Sequence, residues 1–519
     1  MLVERKRISV IGLDGASWDV VNLFIDRGLM PHLKHILDKS IKKTLYSTIP
    51  PITAAAWTSI ASGATPIVHG VFDFQGIVYE GNKLKTKVLN SSDVQAPRIH
   101  EILNILNLKS IVINLPLTYP FHHQMINCKR NIIVTGWDSP KQLIYPIELM
   151  DKYKKYLIEP KHGILKYVLE PAEYSRILYE DFMLKMNLYY DMLNKFDWHL
   201  LFIVISELDW IMHSTTDILK GIIINDVRKL VTLIDKLINE MARSSDVVII
   251  VSDHGFKIYD KVVNINAYFK RKGFVKVESI FYRKTHKRRP VPRVKMNKCH
   301  IQKRNMIYKY IKFSVKKVLS QLLNSRLEPY VLKIVNTILR DRYLSARPIL
   351  SGSSVVMAIF GCIHVFEHNV DVWKLKEELN RLFSGLLKFY TLNEVYKDGV
   401  SVRRHQLLPS IIIEPIRAWI KYDSVGNIIE NSEIPNHSMY GIFSVYRKDV
   451  IDDNLLAWLS DSKYVMTWDI CPLILYLLDL PIPSYTTSSI KTISKLTKNY
   501  LSIYKVYRSV KGKAKQKIR

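Results

Sequence analysis

The chain has little of several features that define whole classes of protein. Its 519 residues include only four cysteines, at positions 128, 299, 362 and 471, and no Cys-x-x-Cys pair. This excludes a disulfide scaffold and a cysteine zinc finger, and it favours a reducing compartment. No run approaches the roughly 18 apolar residues of a membrane span, and the first residues, MLVERKR, lack the pattern of a signal peptide. We therefore expect a cytoplasmic protein, either soluble or peripheral to the membrane.

Acidic residues are absent from two segments. Residues 279–327 contain 15 lysines and arginines, and residues 480–519 contain 10. These segments account for most of the net charge of +29 and leave +4 on the rest of the chain. Because basic segments attract anionic surfaces and polymers, an anionic membrane surface or a nucleic acid is a candidate partner. A solvated basic face is the alternative, since no nucleic-acid-binding motif accompanies either segment.

The remaining composition, 48% hydrophobic and 24% charged, is that of a globular protein. Short apolar runs predict strands at 7–13, 110–115, 132–134, 200–206 and 246–252. Helical patterns alternate with them at 19–37, with a break at Pro31, and at 220–241. This alternation predicts an α/β fold in which helices sandwich a mostly parallel central sheet. Further strands are expected at 354–360 and 441–445, and further helices at 370–387 and 469–478.

Changes of pattern predict how the chain is divided. We expect a catalytic core of residues 1–275, 346–366 and 437–490, interrupted by two insertions. The first, 276–345, is basic and contains an amphipathic helix at 306–323 that either packs on the core or faces lipid. The second, 367–436, resembles a cap and is expected to be irregular after its helix. Residues 491–519 form a basic tail.

Potential metal ligands stand next to four predicted strands. They are Asp14, Asp209, His213, Asp253, His254 and His437. Asp209 and His213 are four residues apart, so one helical turn can direct both at one ion. Each residue alone could be a cap, a turn residue or a core histidine, but three carboxylates buried together are very costly without cations. The set therefore predicts two divalent ions, for which zinc suits mixed Asp/His ligation best, with manganese or iron as alternatives.

Thr53 is the candidate nucleophile. It follows Pro50 and Pro51 and precedes small helix-forming residues that end at Gly63. A hydroxyl at a helix N-terminus lies beside amide N–H groups that favour a bound phosphate. An N-cap role is the alternative. Because a free threonine hydroxyl is a weak nucleophile, catalysis would need a metal ion to activate it.

These motifs occur in a recognisable order. The set LDG, PPxT followed by SGxxPxxHG, ELDxxxH, SDHG and NHxxxGIF resembles the alkaline phosphatase superfamily. The likeness is to its type I phosphodiesterase/nucleotide pyrophosphatase group, and it covers most of residues 7–275 and 350–485. The resemblance implies one metal ion held by Asp209, His213 and His437. It implies a second ion held by Asp14, Asp253, His254 and the Thr53 oxygen. Thr53 would attack phosphorus in line and form a phosphothreonyl intermediate, which water would hydrolyse.

One departure from the family pattern concerns phosphate recognition. The nucleotide pyrophosphatases commonly have an asparagine three residues after the nucleophile, whereas this chain has Ala56. Helix amides, Trp57 or a cap residue are candidates to replace it.

The sequence therefore predicts a phosphodiesterase/nucleotide pyrophosphatase-type hydrolase of a small phosphate ester. Two alternatives stay open: a phosphonate hydrolase or phosphotransferase of the same superfamily, and an inactive protein that uses its basic regions for binding.

Overall fold

The computed structural model describes residues 6–80, 83–121, 131–154, 169–283, 342–350, 352–396, 406–424, 426–449 and 452–492. The amphipathic helix predicted at 306–323 and the tail beyond residue 492 lie outside these residues. The predicted division into a core, two insertions and a tail stays a prediction.

The described strands are, in chain order, β1 (Ile8–Leu13), β2 (Ile41–Tyr46), β3 (Gln75–Glu80), β4 (Lys83–Val88), β5 (Ser110–Leu115), β6 (Asn131–Thr135), β7 (Ile144–Tyr145), β8 (Leu200–Ile205), β9 (Val247–Val251), β10 (Gly255–Asn264), β11 (Lys276–Arg283), β12 (Arg342–Ile349), β13 (Val355–Ile359), β14 (Cys362–Val365), β15 (Leu387–Thr391), β16 (Gln406–Leu407), β17 (Ile411–Pro415), β18 (Ala418–Lys421), β19 (Ile429–Ser438), β20 (Tyr440–Arg447) and β21 (Val465–Met466).

The described α-helices are, in chain order, α1 (Trp18–Asp26), α2 (Pro31–Asp38), α3 (Thr53–Ser62), α4 (Pro66–His69), α5 (Ile99–Ile105), α6 (Met150–Tyr153), α7 (Pro171–Lys195), α8 (Glu207–Ser214), α9 (Asn225–Arg243), α10 (Ile265–Arg271), α11 (Val372–Leu382), α12 (Leu392–Val395), α13 (Asp453–Asp461) and α14 (Ile470–Leu477). As the predicted break indicated, Pro31 stands at the first turn of α2, where its missing N–H costs nothing.

A nine-stranded sheet forms the centre, in the order β21-β2-β20-β9-β1-β8-β5-β6-β7. The five strands β9, β1, β8, β5 and β6 run parallel to one another, whereas β20 and β7 are antiparallel to their neighbours β9 and β6. Every residue of β1, β5 and β8 is buried, because both faces of a parallel sheet are covered. The predicted fold class is confirmed.

Helices cover both faces of this sheet. Alternate residues of β8 point to opposite sides, as the period of a strand requires. Leu201 and Ile203 pack into a cluster with residues of α1, α2, α7 and α9. Leu200 and Phe202 pack into a second cluster with residues of α3, α5, α13 and α14.

A separate four-stranded sheet has the order β13-β14-β17-β15, with antiparallel neighbours. It packs with α10 and α11 around its own apolar cluster. The segment after α11, expected to be irregular, therefore contains strands. The helix predicted at 370–387 ends at Leu382, and Gly385 adopts a positive φ of 73° before β15 begins. The basic insertion predicted at 276–345 begins with β11, which pairs with β12.

A three-stranded sheet has the order β18-β10-β19. In the chain, β10 follows β9 and β19 precedes β20. In this sheet Phe256 of β10 stands opposite His437 of β19. This pairing fixes His437 relative to the residues that follow β9. No helix among the described residues is long and apolar enough to cross a membrane.

Candidate active site

The carboxyl ends of three neighbouring central strands form the floor of the site. Leu13 of β1 pairs with Ile205 of β8, and Gly12 pairs with Val251 of β9. The residues that follow these strand ends must therefore emerge side by side. Crevices at the carboxyl ends of parallel strands are the usual binding sites of open α/β sheets.

The first group of candidate ligands comes from α8 and β19. Asp209 and His213 lie one turn apart on α8, with Asp209 Oδ1 3.6 Å from His213 Nε2. His437 reaches the same point from β19, and its Nε2 lies 3.4 Å from Asp209 Oδ1 and 2.9 Å from His213 Nε2. These three ligand atoms all lie within 4.8 Å of one another, close enough to share one ion.

The second group follows β1 and β9. Its members are Asp14, Asp253 and His254, all completely buried, with ligand atoms again within 4.8 Å of one another. His254 Nε2 lies 3.2 Å from Asp253 Oδ2 and 3.8 Å from Asp14 Oδ1. The rings of His254 and His437 stack with their centroids 3.6 Å apart. The two groups are therefore adjacent.

Thr53 lies at the edge of the second group. It is the first residue of α3, and its Oγ1 is 3.2 Å from His254 Nε2. The residue before a proline avoids helical angles, which keeps Ile49 and Pro50 out of the helix, and Ile52 has the extended angles of an N-cap, with φ −112° and ψ 130°. The N-cap residue, Ile52, provides no side-chain hydrogen bond, so the first amide N–H groups of α3 are left for an anion beside Thr53.

Burial and mutual repulsion perturb the carboxylates. Burial, followed by the charge of Asp253 and then that of Asp209, raises the pKa of Asp14 well above its usual value. Burial and the charge of Asp209 likewise raise the pKa of Asp253. Burial also raises the pKa of Asp209, but His213 and His437 more than offset it, so the net pKa is lowered.

Several carboxylate oxygens accept no well-formed hydrogen bond from the described residues. They are both oxygens of Asp14, Oδ1 of Asp209 and Oδ2 of Asp253, and all are buried. Buried carboxylate oxygens normally accept hydrogen bonds or bind a cation. The six candidate ligands therefore fit a pair of divalent cations in donor type, burial and unsatisfied valence.

Two backbone carbonyls orient the imidazole rings. His437 Nδ1 lies 2.8 Å from the carbonyl oxygen of Pro51, and His254 Nδ1 lies 3.1 Å from that of Gly255. A carbonyl oxygen can only accept, so in each neutral ring Nδ1 is the donor and Nε2 carries the lone pair. Both lone pairs are thus available at the site, as metal-binding histidines require. Burial lowers the pKa of His254, which keeps the ring neutral.

The structure brings together every residue predicted for the site, but it does not support one candidate for phosphate recognition. The Trp57 side chain is fully buried and packs edge-on against Phe202, with 6.1 Å between the ring centroids. It belongs to the apolar cluster that contains Leu200 and Phe202. Its ring faces the core, so it does not replace the side-chain amide absent at Ala56. The free N-terminus of α3 is the candidate that remains beside Thr53.

Sequence reasoning missed the aromatic wall of the site. The Phe256 ring lies edge-on to His213 and His437, at 4.8 Å and 5.4 Å between centroids, and the Tyr259 hydroxyl donates to the His437 carbonyl oxygen at 2.6 Å. Phe256 directly follows the SDHG motif and Tyr259 lies three residues further on, so the motif was a usable signal. Trp419, whose ring centroid lies 5.9 Å from that of His437, gave none.

Comparisons with known proteins bear on the family and the fold. The family model "Type I phosphodiesterase / nucleotide pyrophosphatase" matches residues 9–348. Phosphonoacetate hydrolase from Sinorhizobium meliloti 1021, solved in complex with phosphonoacetate, superposes with a TM-score of 0.54 at 12% identity, over 91% of this chain and 96% of that one. Human ectonucleotide pyrophosphatase / phosphodiesterase 5 gives a TM-score of 0.50 at 12% identity, over 95% and 100%. At these identities the likeness shows the alkaline phosphatase-like fold. No curated protein sequence matches the chain.

Proposed function

The chain belongs to the type I phosphodiesterase / nucleotide pyrophosphatase family of hydrolases, and from this premise we propose that it cleaves phosphodiester or pyrophosphate bonds with two divalent cations and a phosphothreonyl intermediate on Thr53. The observation that carries the proposal is the convergence of six ligand-type side chains, in two adjacent groups, beside the Thr53 hydroxyl.

The two groups would hold one ion each. Asp209, His213 and His437 would bind the first. Asp14, Asp253, His254 and the Thr53 oxygen would bind the second. Such a pair supplies electrostatic stabilisation of the attacking oxygen, the leaving oxygen and the charge on the phosphoryl group. Because the ligands mix imidazole nitrogen with carboxylate oxygen, we propose zinc first, with manganese or iron as alternatives.

The protein's own residues would position the reaction. The N-terminal amides of α3 would hold a phosphate oxygen and keep phosphorus next to Thr53. Attack by the Thr53 oxygen forms a phosphothreonyl ester and breaks the bond to the leaving group, which departs with the hydroxyl proton. Water then cleaves the ester, which restores the Thr53 hydroxyl and releases the second product. His437 and His254 stay correctly oriented throughout, because backbone carbonyls fix their Nδ1 protons.

Turnover of bis(p-nitrophenyl) phosphate tests this function. Chelation should abolish hydrolysis, and added zinc or manganese should restore it. Turnover that survives chelation would refute the metal-dependent mechanism. A phosphonate hydrolase or phosphotransferase of the same superfamily is the alternative, so phosphonoacetate belongs in the same assay as a second substrate. The cytoplasmic location and an anionic partner for the two basic segments also stay predictions.

A further inference from the structure

The loop that precedes Thr53 has few backbone groups of its own to anchor it. Pro50 and Pro51 have no amide N–H. Within the loop, the Thr48 hydroxyl and the Ile52 amide both donate to the carbonyl oxygen of Pro50, at 3.0 Å and 2.9 Å. Ile49 is buried, so its amide and carbonyl need partners from elsewhere in the protein.

The hydroxyl of Tyr396 meets both needs. The Ile49 amide donates to it at 3.0 Å, and it donates to the Ile49 carbonyl oxygen at 3.1 Å. One protonated phenol can do both, since it has one donor and lone pairs to accept. Burial raises the pKa of Tyr396, so the hydroxyl keeps its proton. This contact spans 347 positions of the sequence.

Neighbouring helices and packed side chains hold Tyr396 in place. It directly follows α12, whose first turn is closed by Glu394, which accepts from the Thr391 amide at 2.7 Å and from the Thr391 hydroxyl at 3.0 Å. Lys376 of α11 donates to the same Glu394 at 2.6 Å. The Tyr396 ring is 2% exposed and lies edge-on to Trp468. The hydroxyl is therefore placed by packed elements.

A second contact with this loop comes from the four-stranded sheet β13-β14-β17-β15. Gly361, in the turn between β13 and β14, has a positive φ of 61°, and a Cβ built there would lie 2.6 Å from Pro50 Cβ. The neighbouring Phe360 amide donates to Asp73 Oδ2 at 3.1 Å. The four-stranded sheet therefore packs directly on the loop that leads to the nucleophile.

We propose that Tyr396 is a positioning residue for Thr53, acting through the backbone of Ile49. The inference rests on the proposed function for its catalytic consequence. Thr53 is four residues from Ile49, with only the proline-containing loop between them. Movement of the Ile49 backbone would therefore displace the Thr53 oxygen. Displacement of a reacting atom by about 1 Å can cost on the order of 100-fold in rate.

The Tyr396→Phe variant tests the catalytic part, with Tyr268→Phe as its matched control. Tyr268 belongs to the cluster around the four-stranded sheet, and its hydroxyl donates to Glu378 Oε1 at 2.6 Å, away from the loop. In zinc-loaded enzyme acting on bis(p-nitrophenyl) phosphate, Tyr396→Phe should lower kcat roughly 10- to 100-fold. Its KM and zinc content should stay at parent values. Tyr268→Phe should keep the parent kcat. Equal kcat values in the two variants would overturn the proposal.

Amide hydrogen exchange gives an independent readout, because it needs no turnover. Tyr396→Phe should speed exchange at Ile49 and Ile52 at least tenfold and leave α8 unchanged, whereas Tyr268→Phe should leave both regions at parent rates. Unchanged exchange at Ile49 would overturn the proposal whatever the kinetics. If the parent protein fails to hydrolyse the probe, the proposed function fails while the exchange data still decide whether Tyr396 holds the loop.

Discussion

The Nε2 atoms of His213 and His437 lie 2.9 Å apart. The Pro51 carbonyl oxygen accepts a hydrogen bond from His437 Nδ1, so His437 Nε2 is the nitrogen that faces His213. Two nitrogen lone pairs at this separation repel, so without a metal ion one proton must lie between the two rings. A cation that used both lone pairs would replace that proton and would also neutralise Asp209, which lies within 3.6 Å of both nitrogens. The pair is therefore arranged for a cation.

Zinc should stabilise the folded protein strongly. Any ion that binds the folded state alone raises the free energy of unfolding, by about 2.7 kcal/mol at 100 times its Kd. We expect the melting temperature to rise on zinc addition to chelator-treated protein. Calcium, which prefers all-oxygen ligands, is the control and should produce a much smaller shift. Equal responses to the two ions, or no response to zinc, would contradict the assignment of the two ligand groups.

Replacement of Thr53 separates metal binding from chemistry. Thr53→Ala removes the proposed nucleophile but none of the six Asp and His ligands, so zinc content should hold while turnover falls by several orders of magnitude. Thr58→Ala is the matched control, because Thr58 lies in the same helix and its hydroxyl donates to the Ala54 carbonyl oxygen at 2.6 Å. Its kcat should stay within a few-fold of the parent. An active Thr53→Ala protein would assign attack to water.

Asp14 should destabilise the metal-free protein. Its folded-state pKa is raised by burial, then by Asp253 and Asp209, above the unfolded value of about 3.9. The folded state therefore holds the proton to higher pH, and the free energy of unfolding falls as pH rises from about 4 through the raised pKa. Asparagine cannot ionise, so Asp14→Asn escapes this loss.

Chemical denaturation at two pH values measures the effect. Without metal, Asp14→Asn should be more stable than the parent by on the order of 1–3 kcal/mol at pH 8, with a smaller gain at pH 5. With zinc, the order should reverse, because a ligand is lost. Asp26→Asn, at an exposed position of α1, should change stability little under either condition. A metal-free Asp14→Asn protein that is less stable than the parent at pH 8 would show that the carboxylate is satisfied without a cation.

Local patterns in the sequence were enough to predict six of the nine strands of the central sheet and most of the site. Asp14, Asp209 and Asp253 follow short buried strands whose apolar, β-branched runs are strong local signals, and parallel strand ends must meet. His437 was harder, because β19 has a polar sequence and is held by backbone pairing to β10, which leaves no apolar alternation to detect. The contact between Tyr396 and Ile49 had no local signal at all, since it depends on how two distant segments pack.

Gly15 provides the sharpest test of the space around the ligands. It turns the chain after β1 with a φ of +72°, and a Cβ there would lie 3.1 Å from Asp209 Oδ1 and 3.1 Å from the Phe256 ring. Gly15→Ala should therefore displace Asp209 and weaken zinc binding at least tenfold. It should also lose roughly 1 kcal/mol of stability from the left-handed conformation. Gly28→Ala isolates the second effect, because Gly28 has a φ of +69° and no atom of the described residues lies within 4 Å of the position of an added Cβ. Zinc titration of both variants by calorimetry separates the two effects. If Gly15→Ala binds zinc as tightly as Gly28→Ala, the position of Asp209 does not control the first ion.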